Sequence, residues 1–225
     1  MALQESLEHI QRLMAIAGAS REVKLVAVSK TFGSQVVMEA YQLGLRDFGE
    51  NKVQELLEKQ AALPDDIRWH MIGRLQTNKV KEIVGKVALI HSLDRVDLFE
   101  KIEMEARKQK IVRVECLLQV NVSGEETKAG FPPEQVDEFL RGVASDSPVK
   151  IVGLMTMAPM TEKQDEIRNV FRQTKILFDR LRRDFSQFDF KNLSMGMSGD
   201  FKIAIEEGAT MIRIGSALFG NRSNA

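Results

Sequence analysis

Three stretches carry residue types that could do chemistry together. Lys30 follows the apolar run Lys24-Leu-Val-Ala-Val-Ser29. An amine at the end of a buried strand, partly desolvated or near other cations, becomes neutral enough to attack a carbonyl carbon. The stretches Ser194-Met-Gly-Met-Ser198-Gly199-Asp200 and Arg213-Ile-Gly215-Ser216-Ala217 combine glycines with hydroxyls. Glycines let backbone N–H groups approach an oxyanion, hydroxyls add donors, and a helix start adds favourable partial charge. The same residues also make ordinary turns and caps. An amine with a phosphate cradle suits a phosphorylated carbonyl compound, without naming which one.

The elements that must bring these stretches together repeat along the chain. After an opening helix with Leu7, Ile10, Leu13, Met14 and Ala17 on one face, short apolar runs alternate with amphipathic segments. Strands are predicted at Lys24–Ser29, Arg46–Phe48, Arg68–Ile72, Val87–His91, within Val112–Val122, at Lys150–Gly153, at Asn192-Leu193 and at Thr210–Ile214. Helices are predicted from Ser34 as cap to Leu43, over Lys52–Gln60, Gln76–Val84, Asp94–Lys110, Pro132–Val143, Glu162–Arg183 and Lys202–Glu207, and near Ala217. Eight such units without a linker predict an α/β fold, a single (β/α)8 TIM barrel over residues 1–225 with an extra N-terminal helix. An open doubly wound sheet competes, but no G-x-G-x-x-G follows the first strand.

In such barrels function gathers where strands end and loops begin, and phosphate sits at the last two of these loops. The strand ends are Lys30, Asn51, His70, Asn121, Met155, Ser198, Arg213, Gly215 and Ser216. Other marked residues have plainer readings. Cys116 lies in an apolar run, His70 beside Trp69 reads as a core or rim histidine, and the methionines 155, 157 and 160 as adaptable packing. Neither His9 nor His91 has metal-ligand spacing to a partner, so no metal is expected. Lys79-Val-Lys81 and Arg180, Arg182 and Arg183 read as solvated helix faces, and Glu125–Phe131 as an exposed loop. Lys+Arg and Asp+Glu number 32 each, so no basic field argues for nucleic acid or membrane. One cysteine and no signal-like start suit a cytoplasmic protein.

Taken in order, the stretches Leu25–Lys30, Phe48–Glu55, Trp69–Lys79, Gln119–Asn121, Lys128–Gly130, Gly153–Met157, Leu193–Asp200, Arg213–Gly215 and Phe219-Gly220 cover nearly the whole chain. They resemble the pyridoxal phosphate homeostasis protein family. The resemblance implies an alanine racemase N-terminal-domain-like barrel, fold type III among proteins of pyridoxal 5′-phosphate (PLP), a vitamin B6 cofactor. It implies Lys30 as the Schiff-base lysine and Ser198, Gly199, Gly215 and Ser216 as phosphate ligands. Arg213 would then face the pyridine nitrogen, with Asn51, His70 and Met155 lining the ring.

An arginine against that nitrogen disfavours ring protonation and weakens the ring as an electron sink. Racemases of this fold add a tyrosine base from a partner's β-domain. This chain ends at Ala225, and its one tyrosine, Tyr41, falls on the helix after the first strand. The expectation is therefore a non-catalytic, monomeric PLP carrier or regulator acting in PLP and amino-acid homeostasis, with apo PLP-enzymes as acceptors. A PLP-dependent amino-acid racemase or lyase, and a Schiff-base aldolase for a phosphorylated sugar, remain alternatives.

Overall fold

A computed structural model describes residues 2–18, 22–125 and 127–220. Its eight strands are β1 Lys24–Val28, β2 Asp47–Glu50, β3 Arg68–Met71, β4 Leu89–Leu93, β5 Val114–Gln119, β6 Val149–Met155, β7 Asn192–Ser194 and β8 Met211–Ile214. They pair in parallel and close into a barrel in sequence order, with β1 against β8. The strand bounds differ from the sequence reading mainly at β2, which runs to Glu50, β4, which lies two residues later at Leu89–Leu93, and β6, which runs to Met155.

The helices are α1 Leu3–Ala17, α2 Ser34–Gln42, α3 Val53–Ala62, α4 Val80–Ile83, α5 Val96–Lys108, α6 Val136–Gly142, α7 Gln164–Asp184, α8 Phe201–Glu206 and α9 Ser216–Phe219. Gly33, not Ser34, takes the N-cap position of α2. A short 3-10 turn precedes each of α4 and α6, so the predicted helices there are shorter α-helices. The extra helix α1 lies against α8 and α9 outside the barrel, burying Leu7 and Ile10. The stripe read on α7 is buried in full: Ile167, Val170, Phe171, Leu177, Phe178 and Leu181. Of the basic group on that helix, Arg180 is not merely solvated. It makes a bidentate pair with Asp137 at 2.7 Å for both nitrogens, tying α7 to α6.

Outward side chains of the strands and the apolar helix faces form the main core. Inside the barrel Leu89, Leu117, Val152, Met155 and Met211 form a second cluster. Met155 reaches it through a bulge. Cys116 pairs with Ile151 but Leu118 with Leu154, so β6 holds one residue more than β5. Gly153 makes this possible at φ 150°, where a Cβ would stand 1.8 Å from the Asn192 carbonyl oxygen.

Candidate functional site

The strand ends converge on a cavity of about 510 Å³ at the barrel mouth. Lys30, Asn51, Ser198, Gly199, Arg213, Gly215 and Ser216 line it together with Met157 and Arg74. His70 and Met155 do not, for physical reasons: the β6 bulge turns Met155 into the apolar interior, and His70 lies deeper in the barrel. Asn121 is also elsewhere, its amide donating to the carbonyls of Glu125 and Lys128 within their loop.

Lys30 is exposed rather than partly desolvated, and its amine takes no partner among the described residues. Its backbone, by contrast, is clamped from behind. Ser29 donates its hydroxyl to Glu50 Oε1 at 2.7 Å, and its carbonyl accepts from Lys59 Nζ at 2.8 Å. Lys59, buried on α3, also bonds Glu50 at 2.6 Å and Glu55 at 2.8 Å. The N–H of Thr31, held at φ 71°, donates to Glu55 at 2.5 Å. Both neighbours of Lys30 are thus fixed by one buried cation and two carboxylates. Burial pushes Glu50 up, against the opposing bonds from Lys59 and Ser29. Glu50 and Glu55 stood in the matched stretch Phe48–Glu55 without a role. A lysine at i+4 from Glu55 was the available signal for Lys59.

The two glycine/serine loops are tied to each other, since the Ala217 N–H donates to Ser198 Oγ at 3.2 Å. The N–H groups of Gly199, Gly215 and Ser216 find no acceptor among the described residues. Beneath them Arg213 is buried. Its guanidinium donates to Ser194 Oγ at 2.7 Å and to the Thr156 carbonyl at 3.0 Å, and it forms no ion pair among the described residues. Burial lowers it to about 10, with the charge of Asp200 partly opposing, so it remains a cation at neutral pH.

Ser194 links Arg213 to a hydrogen-bonded line across the barrel. Its Oγ lies 3.0 Å from His91 Nδ1, His91 Nε2 lies 2.9 Å from His70 Nδ1, and His70 Nε2 lies 3.0 Å from Asp47 Oδ1. Arg68 holds the far end of Asp47. Burial would raise Asp47, but bonds from His70 and Arg68 and the nearby charges hold it well below the usual carboxylate range. Burial lowers His70 despite Asp47. It lowers His91 further, with the charges of His70, Arg213 and Lys24 adding to it.

Proton directions follow from these charges. An ionised Asp47 only accepts, so neutral His70 carries its proton on Nε2 and accepts at Nδ1. His91 then donates from Nε2 and accepts the Ser194 hydroxyl proton at Nδ1. Ser194 is left with a lone pair for Arg213. Every member is satisfied in one direction only.

The remaining marked residues fall away from the mouth. Burial pushes the Cys116 thiol far up, as suits a core residue. Tyr41 lies on α2, donating to Asp66 at 2.8 Å under the guanidinium of Arg46.

Residues 2–223 match the family model described as alanine racemase, N-terminal domain. The pyridoxal phosphate homeostasis protein of Aquifex aeolicus is 48% identical over 222 residues, 98% of this chain and 96% of that one. PipY of Synechococcus elongatus, solved without PLP, superposes with a TM-score of 0.89 at 36% identity, covering 97% of this chain and all of that one. The same protein with PLP bound gives 0.84 at 34% identity over the same coverage. Alanine racemase from Bartonella henselae, at 16% identity and TM-score 0.72, covers 99% of this chain and 61% of its own, and shares the barrel fold. With its closed eight-stranded barrel and near-full-length likeness to these proteins, the chain belongs to the pyridoxal phosphate homeostasis protein family.

Proposed function

We propose that this protein binds PLP at the barrel mouth and serves cellular PLP and amino-acid homeostasis without turning over a substrate. The observation that carries the reading is one cavity holding a free amine, a buried unpaired guanidinium and a wall of unbonded N–H groups. These fit the cofactor group by group. Lys30 would hold the aldehyde carbon. Ser198, Gly199, Gly215 and Ser216 would hold the phosphate, and Arg213 would donate to the ring nitrogen. Asn51 lines the wall, and His70 would act through the hydrogen-bonded line rather than by touching the ring. Met157 takes the lining position expected of Met155. When bound, PLP supplies an aldehyde that forms a Schiff base with an amine and an aromatic ring that absorbs visible light.

The same wall supports the absence of turnover. Among the described residues its ionisable side chains are Lys30, Arg74 and Arg213, with no His, Tyr, Cys, Asp or Glu lining it. Arg213 remains protonated at neutral pH, leaving Lys30 as the one group there suited to move a proton to and from carbon. Racemisation needs a second base on the opposite face. Arg213 also disfavours a protonated ring, which weakens carbanion stabilisation. A cytoplasmic monomer that exchanges PLP with apo-enzymes completes the reading.

The test is the absorption spectrum of purified protein, before and after adding an apo PLP-enzyme whose regained activity is followed. A visible band that is lost in Lys30→Ala, with acceptor activity restored, is the expected result. An unchanged band in Lys30→Ala would overturn the site. Amino-acid racemisation or ammonia release faster than about 1 s⁻¹, the low end of enzyme turnover, would overturn the non-catalytic role.

A further inference from the structure

A second cavity, of about 710 Å³, lies beside the first, between the loops after β2 and β3 and the start of α5. Lys52, Arg74, Lys79 and Arg95 stand in its wall, which contains no carboxylate among the described residues. The balancing acids lie outside the lining. Buried Asp94 takes Arg95 and, at 3.3 Å, Arg74 Nε; Asp97 takes Arg95, and Glu82 takes Lys79. That leaves one cation uncommitted on the cavity side and one held loosely. Lys52 has no ion pair among the described residues, and Arg74 reaches Asp94 at 3.3 Å with its side chain 71% exposed.

The floor between these cations is apolar, made by Val53, Met71 and Leu75, all buried. The walls are braced before any ligand arrives. Gly73 meets the Asn51 backbone so closely that a Cβ would stand 2.3 Å from its carbonyl oxygen. Ser92 donates to the Gly73 carbonyl at 2.6 Å, and Arg95 to that of Leu75 at 3.1 Å. A preformed wall lowers the cost of ordering on binding. More of the matched stretch Trp69–Lys79 lines this cavity than the cofactor cavity, which takes only Ile72, Gly73 and Arg74 from it.

A free lysine and an exposed, loosely paired arginine above an apolar floor suit one dianionic group on a flat or aliphatic body. A phosphate monoester carries about two negative charges at neutral pH on a single group, whereas a carboxylate carries one. We propose that this cavity binds a small phosphorylated molecule, its phosphate against Lys52 and Arg74 and its body on the Val53–Met71–Leu75 floor. Asn51 and Arg74 line both cavities, so occupancy here is in contact with the wall of the mouth. Two sources share the chemistry: a second PLP waiting beside the mouth, or an unrelated phosphorylated metabolite.

Calorimetric titration of the PLP-loaded protein with phenyl phosphate and, separately, with PLP tests the site. Saturable binding of one equivalent is expected, weakened about tenfold in Lys52→Gln, the loss of one charge-assisted contact. Binding of PLP alone identifies a waiting site, and binding of both probes a general phosphate site. Either result supports the proposal. No saturable binding of either probe, or binding unchanged in Lys52→Gln, overturns it. Lys52 lines only this cavity, so the visible band of the loaded protein stays unchanged in the variant. In Lys30→Ala, where the cofactor's phosphate cradle is open as well, the share of phenyl phosphate binding that Lys52→Gln removes belongs to this site, so the two readings can fail independently.

Discussion

The barrel interior is divided between two kinds of packing. On one side Leu89, Leu117, Val152, Met155 and Met211 fill space by shape alone. Beside them Asp47, His70, His91, Ser194 and Arg213 form a line in which each donor has one acceptor. Apolar packing tolerates exchange of similar volumes, because no partner is left stranded. A buried polar line does not, because removing one member leaves a neighbour both dehydrated and unpaired. The apolar side therefore supplies stability, and the polar side supplies direction. It holds Arg213 so that its remaining N–H groups face the mouth.

The largest effect that could break this contrast is Asp47→Ala. It strands the buried His70 Nε2–H and releases Arg68, and losing the hydrogen bonds of these two partners to a buried carboxylate, at about 1.5–3 kcal/mol for each partner, costs about 3–5 kcal/mol. Met211→Leu in the apolar cluster should cost less than about 1.5 kcal/mol. Urea denaturation of both variants makes the comparison, and equal losses would abolish it. His91→Leu comes next. It leaves His70 Nδ1 without a donor and the Ser194 hydroxyl without an acceptor, for a loss of about 2–4 kcal/mol. Nitrogen-15 spectra of the unloaded wild type should show both imidazoles protonated on Nε2. A His91 proton on Nδ1 would mean that the line runs the other way.

The two sides were unequally legible in the sequence. The strand runs and their alternation with helices give the barrel, and the rule that function gathers at strand ends brought Lys30, Ser198, Arg213 and Gly215 together. The polar line was not visible, because Asp47, His70, His91 and Ser194 each read as an isolated polar residue in a strand. Only barrel closure makes β4 face β7, so that His91 meets Ser194 across 103 residues of sequence. Met155 went astray for a local reason. The extra residue at the β6 bulge changes which side chains point inward, and alternation counted along the sequence cannot see it. The clamp behind Lys30 is a middle case: Glu50 and Glu55 were in a matched stretch, but their shared cation Lys59 is a helix residue that reads as solvent-facing.

Acidification should weaken the polar side by a smaller, graded amount. Burial keeps His70 and His91 below their ordinary value of 6.5, so the unfolded chain binds more protons than the folded one once pH falls through that value. Stability is then fully present above pH 6.5 and declines below it, until the folded-state values are reached. Each imidazole contributes up to about 1.4 kcal/mol per pH unit in that window. Urea midpoints at pH 7.5 and about pH 5.5, above the usual carboxylate range, give the measurement. In His91→Leu the decline should shrink by one imidazole's share. A decline of unchanged size would place the proton uptake elsewhere.

The smallest expected effect on stability belongs to the residue with the largest expected effect on function. Lys30 is exposed and its amine is unpartnered among the described residues, while its position is set by bonds to the backbone of Ser29 and Thr31 rather than to its own side chain. Lys30→Ala should therefore leave the thermal midpoint of the unloaded protein within the scatter of surface substitutions, while removing the visible band of the loaded one. Disrupting the clamp with Lys59→Met should do the reverse, lowering stability while the amine itself remains. If Lys30→Ala alone lowered the midpoint as far as Lys59→Met, the lysine would be part of the scaffold. The division between a rigid support and a free reactive group at the mouth would then be wrong.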